Sequence, residues 1–317
     1  MKAVFVEQPG GVENLKYADL PKPSPGAGQA LVKIAASGVN YIDIYFRKGV
    51  YPAPSPVVLG SEGAGTVEAV GPDVKNVAPG ERVAYAMARG SYAEYALVPA
   101  WQLVKIPASV PFETAAAAML QGMTAHYLTH STYPLKPGDS CLIHAAAGGT
   151  GRLIVQMAKM LGAHVIGTVG DEEKAKQAKE VGVDEVIVYT QEDFAAKAKG
   201  MHVVYDSVGQ STFMKSLDCL RPRGMMVSFG NASGPVADIA PLLLSQKGSL
   251  FLTRPTLANY SATPEELDWR AGDVLNWIEQ GKLKLHIHKV YPLSDAGQAQ
   301  QDLESRKTTG KLLLRVA

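Results

Sequence analysis

The stretch His144-Ala145-Ala146-Ala147-Gly148-Gly149-Thr150-Gly151-Arg152 stands between an apolar run, Ser140–His144, and a segment with helical spacing, residues 149–161. Small residues at such a junction let the backbone turn sharply and approach a pyrophosphate. A helix that opens there offers unpaired N–H groups and the positive end of its dipole. Glycines alone also serve plain tight turns, so the place of the cluster decides its meaning: after a strand, opening a helix, heading a strand–helix series. The series continues, with strands expected at 164–168, Glu185–Val188, 202–206 and 224–229, and helices at 171–181, 192–199 and 211–220. Alternation at this pitch implies a parallel, doubly wound sheet. The expected fold class is α/β, and the cluster marks a dinucleotide site.

Upstream the text changes character. Residues Lys2–Val6, 29–35, 65–70, Arg82–Ala86 and 92–98 alternate or are β-branched, and Pro21-Lys22-Pro23-Ser24-Pro25-Gly26, Gly71-Pro72 and Pro79-Gly80 supply turns. One short helix is expected at Tyr41–Arg47, and the whole part reads as an all-β barrel or sandwich. Residues 111–133 are Ala-, Met- and Leu-rich with helical spacing, with Ser109 as the N-cap and Glu113 as an early acid. Beyond the alternating region a helix is expected at 263–279, opened by Thr263-Pro264-Glu265-Glu266. A strand at 289–292, a helix at 294–305 and a strand at 311–316 follow. The organisation expected is a β-rich domain over 1–122, a dinucleotide domain over 123–256, and a return to the first domain over 257–317. Residues 249–253 are apolar and β-like; as the outer edge of the sheet they invite pairing with a second copy, so a homodimer is expected.

A chain of 317 residues exceeds what one core usually supports, in keeping with two domains. A net charge of +1 and the lack of basic stretches argue against nucleic acid as a partner. Cys141 and Cys219 are too few for a disulfide framework and fit a reducing compartment. Residues 1–7 lack the apolar run and cleavage site of a signal peptide, and no stretch approaches the ~20 apolar residues of a membrane span. A cytoplasmic protein is expected.

The end of the second strand of the series selects the nucleotide. An NAD site usually places an acid there to accept from the ribose 2′-OH. Here the strand ends Gly167-Thr168-Val169-Gly170, with Lys174 just beyond and Tyr189 ending the third strand. A Lys and a Tyr hydroxyl converging at that point suit a 2′-phosphate. Asp171-Glu172-Glu173 can be read as ribose ligands instead, or as acids favoured at a helix N-terminus. The strand tip itself favours NADPH.

Several further motifs carry a resemblance. Gly38-Val-Asn-Tyr-Ile-Asp-Ile-Tyr45, Leu59-Gly-Ser-Glu-Gly-Ala-Gly65, Ala145-Ala-Ala-Gly-Gly-Thr-Gly151 and Val203-Val-Tyr-Asp-Ser-Val-Gly209 resemble the zeta-crystallin-like quinone oxidoreductases. Met226-Val-Ser-Phe-Gly-Asn231 and Glu304-Ser-Arg-Lys-Thr-Thr-Gly310 extend the likeness over essentially the whole chain. It implies a GroES-like β-barrel catalytic domain with a Rossmann domain, and metal-free reduction of quinones by NADPH. The alcohol dehydrogenases of the same superfamily carry a catalytic zinc. They have Cys where this chain has Asn40 and Gly-His-Glu where it has Gly60-Ser61-Glu62, and neither Asn nor Ser is a usual zinc ligand. Nor do the seven histidines show ligand spacing, although His286 and His288 could share a face. Without a Lewis acid an alkoxide is hard to stabilise, which leaves hydride delivery to an acceptor that is already electrophilic, a quinone or an activated alkene.

The resemblance also implies roles. Asn40, Tyr45 and Tyr51 would line the nicotinamide and substrate cleft, with Asn40 hydrogen-bonding the cofactor or a quinone oxygen. The tyrosines would offer flat surfaces and donors, unless they form a plain pair on the barrel surface. Tyr41, Ile42, Asp43, Tyr45, Tyr127, Gly149, Thr150, Gly170, Lys174 and Tyr189 would contact the cofactor, as would Ser207, Val208, Phe229, Gly230, Asn231 and Arg306. Arg306 can equally be read as a charge at a helix end, and Asp43 and Glu62 as structural acids of the barrel. Two other functions fit the same skeleton: an NADPH-dependent alkenal or enone reductase, and an NADPH-binding structural or RNA-binding protein.

Overall fold

Apolar residues at alternating and consecutive positions of 29–39 produce the longest strand of the molecule, and the first unit is built around it. The computed structural model describes residues 1–305 and 307–316. It divides into one unit formed by Met1–Met123 with Ser261–Ala317, and a second formed by Thr124–Tyr260. The first unit opens with β1 (Lys2–Val6), β2 (Lys16–Asp19), β3 (Gln29–Val39), α1 (Tyr41–Arg47) and β4 (Val57–Val58). It continues with β5 (Glu62–Val70), β6 (Arg82–Ala86), β7 (Tyr95–Pro99), β8 (Val104–Lys105) and α2 (Phe112–Tyr127), the helix in which the boundary between units falls.

The second unit alternates as expected: β9 (Ser140–His144), α3 (Gly149–Met160), β10 (His164–Val169), α4 (Glu172–Glu180), β11 (Glu185–Val188), α5 (Phe194–Lys197) and β12 (Met201–Asp206). Then come α6 (Phe213–Leu217), β13 (Leu220–Ser228), α7 (Leu242–Gln246), β14 (Phe251–Thr253) and α8 (Leu257–Tyr260). The six strands pair in parallel in the order β11-β10-β9-β12-β13-β14. The order reverses at β9, and in sheets of this kind ligands bind at such a switch point, beyond the carboxyl ends of the strands.

The chain then returns to the first unit through α9 (Pro264–Glu279), β15 (Ile287–Pro292), α10 (Ala296–Glu304) and β16 (Lys311–Arg315). The Thr263 hydroxyl accepts the Glu266 N–H at 3.3 Å, the cap that its sequence signature predicts. β16 pairs antiparallel with β3, completing a seven-stranded sheet β15-β16-β3-β5-β6-β8 with β7 also on β3. Val32, Ile34, Val67, Val83, Tyr85 and Val98 pack one core of this unit; Val4, Leu59, Tyr92, Leu312 and Leu314 pack a second with Ala296 and Ala299 of α10. Burial of each such aliphatic side chain stabilises the fold by about 1.5–3 kcal/mol.

Several boundaries differ from expectation. The helix expected over 211–220 closes at Leu217, because Leu220 already pairs with Met201 and Pro222 cannot continue a helix. The helix expected over 192–199 is only Phe194–Lys197. The long helix does not run evenly to 133: after Tyr127 it widens into a π turn, Leu128–Thr132, where the Thr129 hydroxyl bonds the Ala125 carbonyl at 2.8 Å. Ser109 spends its hydroxyl on Glu279 rather than on capping that helix. The strand expected over 92–98 starts at Tyr95, and Tyr92 before it is buried. Among the described residues no helix is long and apolar enough to cross a membrane.

Candidate active site

In the second unit the glycine cluster does what its composition suggests. Ala145 adopts a left-handed backbone (φ 53°), and the Gly148 N–H closes the turn onto its carbonyl at 2.8 Å. Gly148 is the extended N-cap of α3 and brings no side chain to cap it, so the first-turn amides of Gly149 and Thr150 face a cradle suited to an anion. Gly151 packs the helix onto that turn: a Cβ there would stand 2.2 Å from the Ala145 carbonyl oxygen.

Beneath the cradle lies a buried polar network. Asp206, at the end of β12, accepts the N–H groups of Val208 (2.8 Å) and Gly209 (3.0 Å) on one oxygen, and the hydroxyls of Thr212 (2.7 Å) and Ser216 (3.2 Å) on the other. The Ser216 oxygen also meets His144 Nε2 at 2.9 Å, and His144 Nδ1 meets Thr168 at 2.8 Å. Ser216 has one proton and directs it at Asp206 or at the Thr212 carbonyl, so His144 donates from Nε2 and accepts at Nδ1. Burial pushes the His144 pKa down and keeps the ring neutral. The loops holding Ser207 and Val208 and holding Phe229, Gly230 and Asn231 run side by side, with Phe229 N–H on the Asp206 carbonyl and Ser233 N–H on that of Val208.

At the tip of β10, a Cβ on Gly170 would stand 3.0 Å from the Tyr189 hydroxyl, and Tyr189 is 50% exposed. Asp171 caps α4, accepting the Lys174 N–H at 2.8 Å, and the Lys174 ammonium lies 3.4 Å from its other oxygen. That backbone bond holds the Asp171 carboxyl below its ordinary pKa. Of the two readings of this acid, the helix cap is the one seen; the Tyr189 hydroxyl lies beside Gly170, and Lys174 stands in the first turn of α4 with its ammonium near the Asp171 carboxylate. Tyr127 is buried and stacked on Tyr260, with centroids 4.5 Å apart.

In the first unit, Asn40 and Glu62 meet below the start of α1. Asn40 Nδ2 donates to Glu62 Oε2 (2.9 Å) and to the Gly38 carbonyl (3.2 Å). The Lys311 ammonium donates to Asn40 Oδ1 (2.7 Å) and to Glu62 Oε2 (2.6 Å), and Leu120 N–H donates to the other Glu62 oxygen at 2.6 Å. Gly38 leaves room for this carboxylate, since a Cβ there would stand 2.1 Å from Glu62 Oε2. Asp43 is fully buried beside them and accepts from the Asn40 N–H (3.0 Å), Ser61 (2.7 Å) and Tyr92 (3.3 Å). Burial raises its pKa to about 6, with the Ser61 and Asn40 hydrogen bonds opposing.

Above this base α1 carries aromatic rings. Tyr45 contacts Tyr51 edge-on at 5.4 Å and Tyr41 at 6.3 Å, while the Tyr41 hydroxyl donates to the Leu303 carbonyl at 3.1 Å. Ile42 is partly buried on the same helix. At the far end of α1 the buried Arg47 bonds Gln300 (2.9 Å) and Glu304 (2.8 Å) of α10. Arg306 lies outside the described residues. The sequence reading gives no site role to Lys311 or Tyr260, nor to Ser61, His144 or Asp206, although each of the last three lies in a motif it quotes. Lys311 left one trace, a lysine opening the leucine run of a buried strand.

The barrel unit and the doubly wound unit together define a two-domain nicotinamide-dependent dehydrogenase/reductase of the medium-chain type. Residues 26–108 match the alcohol dehydrogenase GroES-like domain and residues 181–314 the zinc-binding dehydrogenase domain. A quinone oxidoreductase of Pseudomonas aeruginosa is 47% identical over 313 residues, covering 96% of each chain. A 2-haloacrylate reductase of Burkholderia sp is 42% identical over 328 residues, covering 98% of each. The solved structure of Escherichia coli quinone oxidoreductase complexed with NADPH superposes with a TM-score of 0.97 at 42% identity, over 100% of both chains. The chain belongs to the quinone oxidoreductase family. Despite the name of the second domain, the donors here suit an ammonium rather than zinc: Asn40 and Ser61 are not zinc-ligand types, and Lys311 already engages the Glu62 carboxylate.

Proposed function

We propose that this chain reduces quinones with NADPH, without a metal. The observation that carries the reading is the uncapped start of α3 under its glycine turn, together with a strand tip that has the Tyr189 hydroxyl beside Gly170, Lys174 in the first turn of the next helix, and Asp171 engaged as that helix's cap. Gly149 and Thr150 N–H groups hold the pyrophosphate, and Lys174 with Tyr189 holds the 2′-phosphate. Ser207, Val208, Phe229, Gly230 and Asn231, with Tyr127, Gly170 and Arg306, complete the cofactor contacts. NADPH, when bound, supplies the hydride. Tyr45 and Tyr51 present the face on which a flat acceptor stacks, with Tyr41, Ile42 and Asp43 setting the helix that bears them. Asn40 is not a ligand for the acceptor oxygen, because both its N–H groups and its carbonyl are engaged inward. The chain acts in the cytoplasm as a homodimer paired along β14, where Phe251 and Leu252 are exposed. Both cysteines are free and buried, in keeping with a reducing compartment.

A second reading, reduction of an activated alkene, is favoured by the likeness to 2-haloacrylate reductase. The test is NADPH oxidation with 1,4-benzoquinone and with a short enone. Benzoquinone is expected to give the higher kcat/KM; a higher value for the enone moves the substrate to the alkene class, and no oxidation with either defeats the reductase reading.

A further inference from the structure

Asn40 has no side-chain N–H to spare for a ligand. It is 4% exposed, its two N–H groups point to Gly38 and Glu62, and its carbonyl receives Lys311. What it controls is the start of α1. Its backbone N–H meets Asp43, which also gathers Ser61 and Tyr92, and α1 then carries Tyr41 and Tyr45 toward Tyr51. The far end of the helix is fixed separately, by Arg47 on Gln300 and Glu304. At the near end the almost wholly buried Lys311 balances Glu62, which is at 0% exposure.

We propose that Lys311 is a positioning residue for quinone reduction, acting through Asn40 on the start of α1 and so on the tyrosine face; the kinetic part of this inference rests on the function proposed above. A buried carboxylate left without its cation is strongly destabilising. Lys311→Met alone therefore leaves Glu62, among Asp43 and Tyr92, with an uncompensated charge. Replacing both members of a buried ion pair by apolar groups is often neutral for stability. In Lys311→Met/Glu62→Met, the Asn40 side chain keeps only its bond to Gly38, so α1 loosens at its start while the fold persists.

The experiment compares wild type, Lys311→Met and the double variant. The double variant is expected to melt near wild type, to exchange the amides of residues 40–44 faster, and to lose roughly tenfold in kcat/KM for 1,4-benzoquinone, the effect of one charge-assisted hydrogen bond. If Lys311→Met fails to fold, the double variant alone carries the test. Wild-type kcat/KM with unchanged exchange in the double variant would overturn the proposal, leaving Lys311 a mere counter-charge. If wild type oxidises NADPH with no quinone, the functional reading fails while hydrogen exchange still decides whether Lys311 holds α1.

Discussion

The Tyr189 hydroxyl comes beside Gly170 because the third parallel strand ends next to the second, and with Lys174 in the first turn of α4 the proposed 2′-phosphate site makes cofactor choice a matter of two side chains. Lys174→Ala should weaken NADPH binding roughly tenfold to 150-fold, since a hydrogen bond to a charged group is worth ~1.5–3 kcal/mol. NADH affinity should hardly change, and Tyr189→Phe should show a smaller loss of the same kind. Fluorescence titration with both nucleotides checks this; a wild type that prefers NADH, with Lys174→Ala inert toward both, would make Asp171 or Glu172 the ribose ligand. Asp43 gives a prediction in pH. Its carboxyl rises from 3.8 to about 6 on burial, so the folded chain holds this proton more tightly than the unfolded one. The stabilisation is present at acid pH and is lost as pH climbs from about 4 through about 6, by about 3 kcal/mol for some two pKa units. Asp43→Asn abolishes this dependence. Relative to wild type it should gain about that amount between about pH 4 and pH 7 in urea unfolding, and a constant difference across the window would remove Asp43 from the pH response.

Single strands and helices show which signals a sequence can carry. The α/β series was legible because each element announces itself locally, by periodicity, and Gly148 to Gly151 only need a strand before them and a helix after. The two-residue strands β4 and β8 have no period to detect, and Leu220 lies in an apolar run that suits a helix or a strand until Met201 pairs with it. Asn40 and Glu62 were visible as a motif, but their partner Lys311 is 271 residues from Asn40, and nothing local connects them. The edge strand β14 was expected from its apolar text and is the outermost strand of its sheet, with Phe251 58% exposed. A strand added there from a second copy would pair its backbone and cover Phe251 and Leu252. Leu252→Lys combined with Phe251→Glu should therefore turn the proposed homodimer into a monomer in light scattering. A wild type that is already monomeric at micromolar concentration refutes pairing along this edge.

At the scale of the molecule, the first unit is assembled from two stretches of chain with the whole second unit spelled out between them. The nucleotide-binding sheet is contiguous and can close on itself as soon as it is made. The barrel cannot. Its central strand β3 needs β16, and the buried Glu62 needs the ammonium that opens β16. At a synthesis rate of ~5–20 residues/s, the 271 residues separating Asn40 from Lys311 take roughly 15–55 s to emerge. For that interval the nascent barrel has an open seam and an unanswered charge, so on the ribosome the domain that begins first is the one that finishes last.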